Sequence, residues 1–163
     1  MKEIAMRNIF AKDIMNRDIL SVGMDWSMDQ LADYLIENSI SGAPVTSEDG
    51  KLLGVVSLTD IVRYKSIPAT DSQSNDPHEY YIYCPERKYS PAEVESFRVE
   101  AESLVTVREI MTPVTFNVQE ETTIQQVADA MLRGRIHRVF VTRDEMLIGI
   151  ITTMDILRAI RNL

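Results

Sequence analysis

Apolar residues at Met28, Leu31 and Leu35, and again at Ile124, Val127 and Met131, recur every three or four positions. That spacing puts each set on one face of a helix. Both runs open on a hydroxyl followed three residues later by glutamine, Ser27-Met28-Asp29-Gln30 and Thr123-Ile124-Gln125-Gln126. This capping box starts a helix by satisfying free amides at its end. Before each helix stands a short helical turn, Lys12-Asp13-Ile14-Met15 or Arg108-Glu109-Ile110-Met111, and then an extended segment ending at Val22 or Val118. After each helix come two strands in hairpin order, Ala43 to Thr46 with Leu52 to Val56, and Val139 to Thr142 with Leu147 to Ile151. Closing helices begin at Leu58 and Thr153.

The chain is thus built twice. Gly54-Val55-Val56-Ser57-Leu58-Thr59-Asp60-Ile61-Val62-Arg63 returns ninety-five residues later as Gly149-Ile150-Ile151-Thr152-Thr153-Met154-Asp155-Ile156-Leu157-Arg158. Upstream the offset is ninety-six, pairing Ile14-Met15 with Ile110-Met111, Val22 with Val118 and Val45-Thr46 with Val141-Thr142. The missing residue falls where Ser47-Glu48-Asp49-Gly50 is answered by Arg143-Asp144-Glu145, a hairpin turn that can shorten without moving either strand. Each repeat reads as strand, helix, strand, strand, helix, too small a sheet to bury a robust core alone. The expected fold is therefore α+β: two pseudo-symmetric β-α-β-β-α units packed through their sheets, with equivalent clefts where they meet. The boundaries read as 1–64 for the N-terminal segment and first unit, 65–105 for an insertion, and 106–163 for the second unit.

The insertion has no counterpart in either repeat. Pro68, Pro77 and Pro85 and the run Asp71-Ser72-Gln73-Ser74-Asn75-Asp76 predict a loop, with Tyr80, Tyr81 and Tyr83 covering the body of the protein. Ser90-Pro91-Ala92-Glu93 then opens a helix whose Val94, Phe97, Ala101 and Leu104 share a face.

Composition narrows the function classes. Of 163 residues 45% are hydrophobic and 26% charged, as in a soluble globular protein, and the net charge of -8 argues against general affinity for nucleic acid or an anionic membrane. Cys84 is the single cysteine, which rules out an intrachain disulfide and a multi-thiolate zinc site and suits a reducing cytoplasm. No signal peptide or membrane span is read, since no run approaches the roughly 18 apolar residues needed. Catalysis has little support: there is no phosphate-binding glycine loop and no metal-ligand spacing, and Cys84 with His78 lacks a third group. The chain reads as a non-enzyme.

Laid out as repeats, the chain resembles a tandem pair of cystathionine beta-synthase (CBS) domains, the arrangement called a Bateman module. Ile14-Met15 and Ile110-Met111-Thr112-Pro113 are similar to the family's opening motif, Ile136-His137-Arg138-Val139-Phe140-Val141 to its second-strand motif, and the two glycine-to-aspartate segments to its closing motif. The resemblance covers roughly 11 to 64 and 106 to 160. It implies an adenosine-type regulatory ligand, AMP, ADP, ATP or S-adenosylmethionine, in the clefts, and regulation of a partner or attached domain. Apolar surface expected to remain on the closing helices predicts a homodimer, which by the resemblance is a flat disk of two modules.

Candidate ligand residues follow. Ser57-x-x-Asp60 and Thr152-x-x-Asp155 stand where a strand becomes a helix, and taken singly each is a helix cap. Their repetition at both expected clefts points instead to ligand contact: a carboxylate can accept from both hydroxyls of a ribose, and the hydroxyls of Ser57 and Thr152 can hold a ribose or phosphate oxygen. Arg133, Arg135, His137, Arg138 and Arg143 answer Glu37, Ser39, Ser41, Gly42 and Ser47, so the two sites differ in charge. By the resemblance, His137 and Arg138 are candidates for ligand phosphate, against the plainer reading of a solvated basic face. Arg63 and Arg158 read as intrahelical ion partners of the aspartates. For an adenine slot, each repeat offers the loop before its first strand, Ile19-Leu20-Ser21 or Thr115-Phe116-Asn117, and the aliphatic pair Val55-Val56 or Ile150-Ile151. The sequence departs from the family pattern at Asn16-Arg17 and at Phe140, whose counterpart is Pro44 and whose bulk is expected to narrow one cleft. Rival readings are an assembly domain with empty clefts and a nucleic-acid binder using the arginine cluster.

Overall fold

The computed structural model describes residues 8–66, 92, 105–113 and 115–162. The expectations for Tyr80, Tyr81 and Tyr83, for His78 and Cys84, and for the helix opened at Ser90 lie outside these, Ala92 apart. In chain order the elements are α1 (Ala11–Ile14), β1 (Val22–Gly23), α2 (Met28–Glu37), β2 (Gly42–Thr46), β3 (Leu52–Ser57), α3 (Leu58–Ser66), α4 (Val107–Ile110), β4 (Asn117–Gln119), α5 (Ile124–Gly134), β5 (Arg138–Arg143), β6 (Met146–Thr152) and α6 (Thr153–Arg161). The fold is α+β with two three-stranded sheets, β1-β2-β3 and β4-β5-β6. No helix among the described residues is long and apolar enough to cross a membrane.

Local sequence explains the elements. The capping boxes form in both repeats: Gln30 N donates to Ser27 Oγ at 3.2 Å and Ser27 N to Gln30 Oε1 at 2.9 Å, with 3.3 and 3.0 Å for Thr123 and Gln126. The six apolar positions that mark the helix faces, Met28, Leu31, Leu35, Ile124, Val127 and Met131, are all buried. In each sheet the first strand runs parallel to the second, pairing Val22 with Val45 and Val118 with Val141, and the second is antiparallel to the third. A register shift at Val45/Thr46 is repeated at Val141/Thr142. The shortened turn leaves it untouched. Asp144 and Glu145, both at positive φ (50° and 67°), make the two-residue connection whose twist matches the strands.

The compact units are not the sequence repeats. One, the central unit, spans Leu20–Thr115; the other, the terminal unit, joins Met1–Ile19 to Phe116–Leu163. Each opening turn therefore packs on the other repeat. In the terminal unit, Ala11 N donates to Thr122 O at 2.7 Å, and Asn16 and Ile150 exchange backbone hydrogen bonds at 2.9 and 3.0 Å. In the central unit, Val107 N and Arg108 N each reach the β1–α2 loop at 2.9 Å, on Trp26 O and Met24 O, and Val55 and Thr112 exchange bonds at 2.9 and 2.8 Å. Val107 and Ile110 join the core around Leu31, Leu35, Val45 and Val56.

The reason is an accounting of sheet edges. β3 and β6 pair on one side only, and an unpaired edge leaves backbone donors and acceptors exposed. The opening turn of the same repeat is tethered to the first strand, on the opposite edge. The turn of the other repeat covers the edge instead, and at close range. A Cβ on Gly54 would stand 2.5 Å from Thr112 O, and one on Gly149 would stand 2.3 Å from Met15 Sδ and 2.9 Å from Met15 Cβ. The repeated glycine of the closing motif is thus required by the approach of the other repeat's opening segment.

Candidate functional site

In both units the closing strand runs directly into the closing helix, and the aspartate at the third helical position folds back over the junction. Asp60 Oδ2 accepts from Ser57 N at 2.7 Å and from Ser57 Oγ at 2.8 Å. Asp155 Oδ2 accepts from Thr152 N at 2.8 Å and from Thr152 Oγ1 at 2.6 Å. The hydroxyls therefore donate to the carboxylate instead of capping the helix amides themselves. The second oxygen of each carboxylate faces an arginine one turn on: Arg158 donates to Asp155 Oδ1 at 2.9 Å, and Arg63 stands 3.8 Å from Asp60 Oδ1. Both arginines are the intrahelical ion partners that their spacing predicts.

Each junction is also pinned to the start of the neighbouring strand. Thr153 N donates to His137 O at 3.0 Å, and Leu58 N donates to Ser41 O at 2.9 Å. In register, Arg138 lies opposite Thr152 and Gly42 opposite Ser57. The two junctions share a backbone and differ in charge: a guanidinium-bearing residue stands beside one and glycine beside the other.

The arginine cluster divides on burial. Arg133, Arg135, His137 and Arg143 are exposed, Arg143 in an ion pair with Glu120, so for the other three the solvated reading holds, while Arg138 is only 6% exposed. Burying a guanidinium has a cost that surface arginines do not carry. His137 contributes its carbonyl to the junction and leaves its imidazole at the surface.

The remaining candidates are regrouped by the exchange of opening turns. Ile19 falls in the terminal unit with Asn117, His137, Arg138, Ile150, Thr152 and Asp155. Ser21 and Thr115 fall in the central unit with Val55, Ser57 and Asp60. The loops before β1 and β4 are therefore split between units rather than serving one apiece. Val55 is 2% exposed and is core, Ile150 is half-buried, and both commit their backbone to the segments at Thr112 and Asn16. Phe140 is wholly buried in β5, its N–H bonded to Phe116 O at 3.0 Å. Its counterpart Pro44 has no such donor.

The sequence reading did not place Asn16 and Thr112 beside Ile150 and Val55. The available signal was the unpaired edge of each closing strand. A cavity of about 210 Å³ in the central unit lies elsewhere, at the hairpin end of the sheet, lined by Gly23, Met24, Trp26, Thr46 and Glu48 among others. It does not reach Ser57 or Asp60.

The model of the CBS domain matches residues 11–67 and 107–162. An uncharacterised protein of Methanocaldococcus jannaschii is 33% identical over 91% of this chain and 89% of its own. Among solved structures, CBSX2 in complex with AMP superposes with a TM-score of 0.64 at 22% identity, covering 94% of this chain and 96% of that one. The CBS domain pair of protein MJ0100, in complex with 5′-methylthioadenosine and S-adenosyl-L-methionine, superposes with a TM-score of 0.61 at 23% identity, covering 96% and 98%. At these identities the superpositions speak for the fold alone. The family match rests on both repeats, on the segments that carry the junctions just described, and the chain therefore belongs to the CBS-domain family as a tandem pair.

Proposed function

We propose that the protein is a non-catalytic regulatory module that binds an adenosine-type ligand at the Ser57/Asp60 and Thr152/Asp155 junctions and passes occupancy to a protein partner. The observation that carries this reading is the duplicated carboxylate. An ionised carboxylate accepts up to about four hydrogen bonds, and Asp155 spends two on its cap and one on Arg158. Arg158 is 63% exposed, and a surface ion pair of that kind contributes little. A ribose diol can therefore take its place on Oδ1 without disturbing the cap. Binding of AMP by CBSX2, and of 5′-methylthioadenosine and S-adenosyl-L-methionine by the pair from MJ0100, supports the ligand class.

The junctions differ in what they take. Beside Thr152, Arg138 brings positive charge for a phosphate, and His137 stands next to it; beside Ser57, the corresponding residues are Gly42 and Ser41. The terminal unit is thus suited to a phosphorylated nucleotide and the central unit to an uncharged or cationic adenosine compound. The module acts as a cytoplasmic homodimer, joined through the apolar face that α6 leaves uncovered at Met154, Leu157 and Ile160.

Thermal melts with AMP, ADP, ATP and S-adenosylmethionine test the reading. A true ligand raises the melting temperature with concentration, by about 2.7 kcal/mol of stabilisation at one hundred times its dissociation constant. Asp60→Asn and Asp155→Asn, each compared with its own ligand-free melt, separate the cap from the ligand contact. Loss of the ligand-dependent rise in one variant assigns the junction, Arg138→Ala should weaken AMP more than S-adenosylmethionine, and an unchanged rise in both aspartate variants overturns the assignment.

A further inference from the structure

The cavity in the central unit has an equivalent place in the terminal unit, and there an ion pair lies at the surface. With the repeats aligned, Gly23 answers Gln119, Met24 answers Glu120, Thr46 answers Thr142 and Ser47 answers Arg143. In the terminal unit the Arg143 guanidinium forks onto the Glu120 carboxylate, and Gln119 Nε2 donates to Thr142 Oγ1 at 3.4 Å. The hydrogen bond from Arg143 holds the Glu120 carboxyl below its usual range. In the central unit Gly23 and Ser47 stand in place of Gln119 and Arg143 and reach nowhere near as far, Met24 replaces Glu120, and about 210 Å³ remains.

What surrounds that space differs from what holds Arg143, since Met24 stands in place of Glu120, and an aromatic ring and outlying carboxylates take over. Trp26 replaces Thr122 and lies against Gly23, where a Cβ would meet its Nε1 at 2.9 Å; its ring is held edge-on by Tyr34 at 5.2 Å between centroids. Met24 supplies a thioether wall. Asp25 and Glu48 put carboxylates on the rim, Asp25 being bridged to Arg108 at 3.2 Å much as Glu121 is bridged to Lys12 at 2.7 Å. An aromatic ring and a thioether beside carboxylates favour a flat, weakly hydrated cation on an apolar stem.

We propose that the Gly23–Trp26–Ser47–Glu48 cavity of the central unit is a second binding site, separate from the aspartate junctions, for a guanidinium group carried on a short aliphatic stem. The group takes the place that the Arg143 side chain takes in the other repeat. It comes either from a small guanidino compound or from an arginine of a polypeptide partner.

Trp26 is the only tryptophan, so its fluorescence reads this cavity directly. The full chain is titrated with L-argininamide, with neutral L-citrullinamide, and with the tripeptide Gly-Arg-Gly amide. Argininamide should give a saturable change in the millimolar range, citrullinamide none, and Glu48→Gln should weaken the response about fivefold. Ser47→Arg, which imports the residue of the other repeat, should abolish it. A peptide that binds tighter than argininamide identifies a polypeptide source, and equal binding a small-molecule source. No saturable response in the wild type, an equal response to citrullinamide, or full binding retained in both Glu48→Gln and Ser47→Arg overturns the proposal.

Discussion

Gly54 and Gly149 occupy equivalent positions and are required for different reasons. The atom facing Gly54 is a backbone carbonyl, Thr112 O, fixed by its exchange of hydrogen bonds with Val55. The atoms nearest to Gly149 belong to the Met15 side chain, whose sulfur and Cγ can rotate away, leaving its Cβ at 2.9 Å to be relieved by a small shift of the opening turn. Gly54→Ala should therefore lower stability by about 2–3 kcal/mol and Gly149→Ala by about 1 kcal/mol. Urea denaturation of the two variants measures the difference, and equal costs would mean that Met15 is as rigidly held as the Thr112 carbonyl. That glycine recurs here is plain in the sequence. Its cause is not, because the group it accommodates lies fifty-eight residues away in one case and far across the chain in the other. The aspartates show the same division: the Ser57/Asp60 and Thr152/Asp155 pairs are legible as caps because their geometry is local, whereas the burial of Arg138 beside Thr152 depends on strand pairing.

The helices were the most legible elements, since a capping box and an apolar stripe are contained within a dozen residues. Their ends carry a feature that composition conceals. After α2, Ser39 N reaches Ile36 O at 2.9 Å and Ile40 N reaches Leu35 O at 2.9 Å, with Ser39 at φ 54°. After α5, Arg135 N reaches Leu132 O at 3.3 Å and Ile136 N reaches Met131 O at 3.0 Å, with Arg135 at φ 52°. Both are Schellman endings whose left-handed position favours glycine. In the second repeat glycine stands one residue early, at 134, and arginine carries the strain. Arg135→Gly should raise stability by about 1 kcal/mol, seen as a higher denaturation midpoint with an unchanged slope. A fall in the midpoint would show that the arginine side chain contributes more than the backbone conformation costs. The closing strands were legible as hairpins, but not as edges awaiting a partner.

For the whole molecule, the decisive event is the exchange of opening turns. Lys12 to Met15 begins the first repeat in sequence and completes the second in space; Arg108 to Met111 does the reverse. Each unit thus draws on both repeats, and neither repeat as cut from the sequence carries its full complement of edge contacts. The closing helix of the terminal unit still leaves Met154, Leu157 and Ile160 about half exposed along one face, at 52%, 52% and 56%. This row of three residues is the surface through which the proposed homodimer would form. Sedimentation should give the mass of a dimer for the wild type and of a monomer for Leu157→Asp, with the melting temperature of the monomer lower and dependent on nucleotide as before. A monomeric wild type would remove the dimer from the proposed function and leave the aspartate junctions untouched.

The order of elements, the helix starts, the two hairpins and the duplication itself were determined by the sequence, because each is set by contacts a few residues apart or by repetition that alignment reveals. Which opening turn covers which sheet edge, why Gly54 and Gly149 must be glycine, that Arg138 is buried while Arg133 and Arg135 are not, and that one repeat keeps a cavity where the other holds Arg143 were decided only in the tertiary structure. Those outcomes depend on which distant backbone arrives at an unpaired strand, and on how much side-chain volume is left there to fill.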